Sequence, residues 1–172
     1  IAFRPGETAL AAEAGDRIEE LAALLAAWPG ISLRLTGQTD GADERLLCER
    51  ALLQQLEASR GVRALASLGE ISTRRAVREY LVRKLAGRSA PALAPDQARW
   101  LESHVASAKP SSEVLESVAW GRAEALRAAL VEEHGVEAAR LVIAPPQTSP
   151  PAPTPGVAIA LGLRAAEAAR AD

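Results

Sequence analysis

One charge stands where the pattern calls for an apolar side chain. Leu115, Val118, Leu126 and Ala129 recur at helical spacing, and the position that continues this stripe between Val118 and Leu126 is Arg122. A guanidinium on a buried stripe must find a carboxylate or several acceptors, because an unpaired charge away from water is heavily penalised. Asp40, where a strand-like segment ends and the chain turns, is the nearest candidate in sequence, so the pattern predicts that Arg122 approaches Asp40. Two readings follow from the residues alone. Either the pair lines a pocket for a carboxylate or an ammonium, or Arg122 lays its stem along the stripe and caps backbone carbonyls.

Other reactive side chains are few. Nucleophilic catalysis needs a base beside its nucleophile, and the chain has two histidines, His104 and His134, and one cysteine, Cys48. His104 falls on a helical stripe, and His134 falls at a helix end, where a cation suits the dipole. Cys48 reads as a small buried apolar group. With these ligands no zinc or iron cluster is expected, and one cysteine excludes an internal disulfide. Gly37-x-x-x-Gly41 lacks the lysine and the helix-opening glycines of a phosphate loop. No enzyme activity, metal or cofactor is expected.

The elements that must position these residues are legible in outline. Ile1-Ala2-Phe3 reads as a short strand stopped by Pro5-Gly6. Ile18, Leu21, Leu25 and Trp28 mark a helix from about Glu13, closed by Pro29-Gly30. Ile31, Leu33 and Leu35 alternate with polar residues as a strand with one buried face. A helix follows from Asp40 to about Ser59. Two further helical patterns, one with Val77, Tyr80, Leu81 and Leu85 and one with Trp100, Leu101, His104 and Val105, read as an all-helical insertion at about 61–110. Val77, Leu81, Trp100 and Leu101 are expected to pack onto each other or back onto the rest. Ser111 or Ser112 opens a long helix that Gly135 closes. Leu141-Val142-Ile143 reads as a third strand, and six prolines between Pro145 and Pro155 read as an extended loop. Val157 to Leu163 reads as a fourth strand. The expected architecture is an α/β two-layer sandwich. It has a mixed four-stranded βαβαββ sheet in one domain, 1–163, with the helical insertion inside it and a tail at 164–172.

Composition sets bounds on partners. Twenty Lys plus Arg against 22 Asp plus Glu leave a net charge of −2, which argues against nucleic acid. No run of residues is long and apolar enough for a transmembrane segment. One ordinary core is expected from this length. The 38 alanines favour helix. The best basic patch, Arg74, Arg75, Arg78, Arg83, Lys84 and Arg88, is interleaved with Glu70 and Glu79 and reads as a solvated face, with a lipid headgroup or anionic partner as the alternative. The start at Ile1 suggests a piece of a longer protein.

Ile1-x-Phe3-x-x-Gly6-x-x-x-Leu10, an amphipathic helix, and then Ile31-x-Leu33-x-Leu35-Thr36-Gly37-Gln38-Thr39-Asp40 together resemble the opening of an OmpA-like domain. Val118-Ala119-x-x-Arg122-Ala123, Gly135-Val136-x-x-x-Arg140-Leu141 and the last strand resemble its second half. Arg78-Glu79-Tyr80-Leu81 in the insertion resembles part of long AsmA-like envelope proteins that carry a domain of unknown function. The resemblance implies a periplasmic module of an outer-membrane or other cell-envelope protein of a bacterium. In typical members it implies binding of the diaminopimelate of peptidoglycan, with Asp40 receiving the ligand ammonium, Arg122 its carboxylate, and Thr39 beside them. Gln38 stands in place of the motif histidine, Leu115 in place of a ligand-contacting asparagine and Ala119 in place of a serine. The Asn-Arg-Arg run before the last strand is missing. These losses make the site degenerate, since each polar contact removed from such a pocket costs ~1 to 3 kcal/mol. The expected role is structural or protein–protein association with another envelope protein. A peptidoglycan anchor through Asp40 and Arg122 is the alternative.

Overall fold

The computed structural model describes residues 1–59, 68–108 and 110–146, with the backbone of 157–158 and 160–165. The elements in chain order are β1 (Ala2–Phe3), α1 (Gly15–Ala27), β2 (Ile31–Thr36), α2 (Gly41–Ala58), α3 (Leu68–Leu85), α4 (Pro95–Ser107), α5 (Ser112–Glu132), β3 (Leu141–Ile143), β4 (Val157–Ala158) and β5 (Ala160–Ala165).

This corrects the expected sandwich. The described chain is mostly helical, and its strands do not form one four-stranded mixed sheet. They divide into a three-stranded sheet, ordered β3-β2-β5, and a separate antiparallel pair of β1 with β4. Within the larger sheet β2 runs parallel to β3, Leu33 beside Leu141, and antiparallel to β5, Leu35 beside Leu161. The physical reasons lie in the punctuation. Pro5 and Gly6 stop β1 after two residues, and Pro145 and Pro146 follow close behind β3, which has three. The expected fourth strand is present as two pieces, and Ile159 between them lies outside the described residues, as do most of the proline-rich segment and the residues beyond 165.

The chain divides into two compact units, one of residues 1–43 with 111–172 and one of residues 44–110. Each unit has its own apolar cluster, where a single core was expected. In the first, Leu33 and Leu35 on the inner face of β2 pack with Ile18 and Leu25 of α1 and with Leu126 and Leu130 of α5. The alternation of β2 and the stripes of α1 and α5 produce this cluster, since each element turns one apolar face to the others. In the second, Cys48, Leu52 and Leu56 of α2 meet Val77 and Leu81 of α3 and Leu101 and Val105 of α4, with Trp100 packed against them. The expectation that the apolar groups of the insertion cover one another thus matches what forms, but α2 contributes one of the three walls. Between Arg60 and Ser67, and at Lys109, nothing further is described.

Two helix ends fix the geometry that follows. Pro29-Gly30 closes α1, and Arg140 then donates from Nε to the Ile31 carbonyl (2.9 Å) and from Nη2 to the carbonyls of Leu25 (2.8 Å) and Trp28 (2.7 Å). Carbonyls that a helix C-terminus leaves without partners are thereby satisfied by a cation, which also suits the helix dipole. Gly135, at φ 66°, closes α5, with the Val136 amide donating back to the Leu130 carbonyl.

Candidate functional site

Arg122 sits on the inner face of α5 and is fully buried. The stripe requires that placement, because its neighbours Ala119, Ala123 and Leu126 are buried on the same face. All five guanidinium N–H groups find acceptors. Nε donates to the Glu7 carbonyl (2.8 Å), Nη1 to the Gln38 carbonyl (2.9 Å) and Asp43 Oδ2 (2.9 Å), and Nη2 to the Arg4 carbonyl (3.0 Å) and Asp43 Oδ1 (2.7 Å). Five donors in a planar fork meet five acceptors, which is the full capacity of an arginine. The guanidinium also lies 5.5 Å from the centre of the Phe3 ring.

The predicted partner therefore needs correction: the carboxylate is Asp43, three residues beyond Asp40. The reason is helix capping. Asp40 stands just before α2, and its Oδ1 accepts the amides of Ala42 (2.9 Å) and Asp43 (3.1 Å). In return the Asp40 amide donates to Asp43 Oδ2 (3.0 Å), so the two aspartates form a reciprocal capping box. One carboxylate is committed to the helix start, and the other turns inward to the arginine. Of the two readings of Arg122 drawn from the sequence, the capping of backbone carbonyls is the one that forms, at three carbonyls, with the Asp43 carboxylate paired besides.

Asp43 is itself saturated, taking the Gly6 amide (2.5 Å) and the Asp40 amide besides the two contacts from Arg122. Burial alone would push its carboxyl up. The hydrogen bonds from Arg122, Gly6 and Asp40, together with the arginine's charge, outweigh burial and hold it below the usual carboxylate range. Thr39 is buried, and its hydroxyl has no hydrogen-bond partner among the described residues.

Backbone approach seals this region further. A Cβ on Gly37 would collide with the carbonyl of Ala119, so the end of β2 touches the α5 backbone directly. A Cβ on Gly121 would come within 2.8 Å of the Thr8 methyl group. The motif positions Gly37, Ala119 and Arg122 are thus brought together with Gln38 and Asp43, while Leu115 is half-buried. The sequence reading missed Asp43, Arg4 and Glu7. An Asp-x-x-Asp pair at a helix start carried the signal for Asp43; carbonyl acceptors such as those of Arg4 and Glu7 leave none.

The Cys48 thiol is buried, and burial followed by the charge of Glu44 pushes its pKa up, so it makes a poor nucleophile. His104 stacks on Trp100 with ring centres 3.7 Å apart, and its Nδ1 lies 2.8 Å from the Trp100 carbonyl. His134 lines a shallow cleft of about 230 Å³ with Pro29, Glu137 and Arg140, whose guanidinium is already occupied by carbonyls. No group of three or more metal-ligating side chains is found among the described residues. Among them no helix is long and apolar enough to cross a membrane.

The chain matches no protein-family model and no curated protein.

Proposed function

We propose that this chain is a non-catalytic association module of a larger bacterial envelope protein. In this reading it is a diverged relative of OmpA-like domains whose ligand-binding charges have been absorbed into the fold. The observation that carries the reading is the saturation of Arg122. To receive a ligand carboxylate it would have to release Asp43 or two backbone carbonyls. The released carboxylate would be left buried without its cation, and each released carbonyl would lose its hydrogen bond to the guanidinium, at about 1–3 kcal/mol apiece and more for the charged one.

Among the residues that motivate the family resemblance, Gly37, Gln38, Asp40 and Arg122 serve internal roles in close approach, capping and pairing. A periplasmic location follows from the same resemblance and belongs to the proposal. The test is calorimetric titration of the chain with diaminopimelate-containing muropeptides, beside an Asp40→Asn variant that keeps a capping side chain. Absence of saturable binding is expected. Micromolar affinity that Asp40→Asn abolishes would replace this reading with a cell-wall anchor.

A further inference from the structure

Two outward helix faces are complementary in charge and in apolar content. On α3, Ile71, Arg75 and Arg78 follow one another at i, i+4 and i+7, and so share one side of the helix. Ile71 is 53% exposed, Arg75 is exposed without an ion-pair partner among the described residues, and Arg78 reaches Glu57 at 3.4 Å. Along its length α3 carries five cations against two carboxylates. On α1, Asp16, Glu20 and Leu24 likewise share one side; both acids are exposed and unpaired among the described residues, and Leu24 is 40% exposed. The helix carries three carboxylates against one cation.

We infer that α3 of one copy docks antiparallel on α1 of a second copy. In that arrangement Arg78 meets Asp16, Arg75 meets Glu20 and Ile71 meets Leu24. The spacings agree, since seven residues of helix span about 10 Å and eight span about 12 Å. Charge fixes the register and the apolar pair supplies the contact that charge alone does not. A flat anionic bilayer fits less well, because it would also meet Glu79, which lies exposed beside Arg75 on the outward side of α3. The inference deepens the association reading and rests on it.

The test is sedimentation equilibrium of the whole chain at low and high salt. Reversible self-association at concentrations on the order of 100 μM, weakened at least tenfold by salt, is expected. Arg75→Glu and Glu20→Arg should each weaken it about tenfold or more, and an equimolar mixture of the two variants should restore it, since the two reversed charges then face each other across one contact. The restored mixture would also show that both variants fold. The inference is overturned if the natural chain stays monomeric, if neither charge reversal matters, or if the mixture fails to associate. Binding to phosphatidylglycerol vesicles that is lost in Arg75→Glu, without self-association, would likewise overturn it. A monomeric chain removes only this inference, whereas muropeptide binding lost in Asp40→Asn removes the reading beneath it.

Discussion

Asp43 and Glu49 are both fully buried carboxylates on α2, one in each compact unit, and they are satisfied in opposite ways. Asp43 uses both oxygens, each with one contact from Arg122 and one from a backbone amide. Glu49 uses one: Oε1 accepts Lys84 Nζ (2.6 Å) and Arg45 Nε (3.2 Å), while Oε2 has no partner among the described residues. The partners differ as well. Arg122 is sealed from water, whereas the side chains of Arg45 and Lys84 are 48% and 35% exposed. Removing either Arg122 or Asp43 strands a buried partner, whereas removing Glu49 leaves two cations that can reach solvent. The first cluster is therefore a keystone for loops, and the second a tie between helices whose cations can hydrate if Glu49 is lost.

The sharpest way to break this contrast is Arg122→Ala. Removing the guanidinium strands Asp43 and leaves the carbonyls of Arg4, Glu7 and Gln38 without their donor, so a loss of about 3–5 kcal/mol in urea unfolding is expected. Adding Asp43→Leu to an Arg122→Leu background should recover part of that loss, because the stranded charge is then gone. Equal losses in the single and double variants would remove the keystone reading. Next in size, Gly37→Ala drives a methyl group into the Ala119 carbonyl and should cost about 1–3 kcal/mol by the same measurement, since backbone cannot move aside cheaply.

Acid titration sharpens the contrast further. The folded-state pKa of Asp43 lies below its unfolded value, so its contribution is fully present above the unfolded pKa of about 3.9 and is lost as pH falls through the lower folded value. Stability measured from pH 5 down to pH 2 should therefore decline, and Asp43→Asn should flatten that decline while lowering stability at pH 7. Glu49→Gln is expected to cost no more than about 1 kcal/mol, because its cations can hydrate. Smallest of all is Glu102→Gln. Its bidentate contact with Arg45 is exposed, and its loss should shift unfolding by less than about 1 kcal/mol, vanishing in high salt.

How far the sequence reaches is shown by these same residues. The anomaly at Arg122 is legible because a charge on an apolar stripe must be paired, and helix ends are legible wherever Pro29-Gly30, Gly87, Pro95 or Gly135 punctuates the pattern. The choice of Asp43 over Asp40 is harder. Both lie at one helix start, and the choice depends on which carboxylate the first turn needs for capping. Glu49 escapes because it lies beside the stripe of Cys48, Leu52 and Leu56, where a half-turn of rotation decides between water and core. The sheet is misjudged for a different reason. Strand segments of two and three residues carry too little alternation to say which partners they choose, and pairing is settled by contacts distant in sequence.

The reach of Arg122 along the chain also bears on the order in which the two units are expected to fold. Its acceptors lie 79 to 118 positions earlier, whereas the ion pairs of the second unit span between 4 and 57. Loop closure over such separations is an entropic cost that local helix pairs avoid, and chains rich in distant contacts fold more slowly. During synthesis the segment from Ile1 to Asp43 emerges with its buried carboxylate and carbonyls still hydrated, and it must wait for α5 while α2, α3 and α4 can already close on one another. The first unit is expected to close last, so that a stalled or truncated chain ending before Arg122 is expected to show helical structure in 44–110 ahead of any ordering of 1–43.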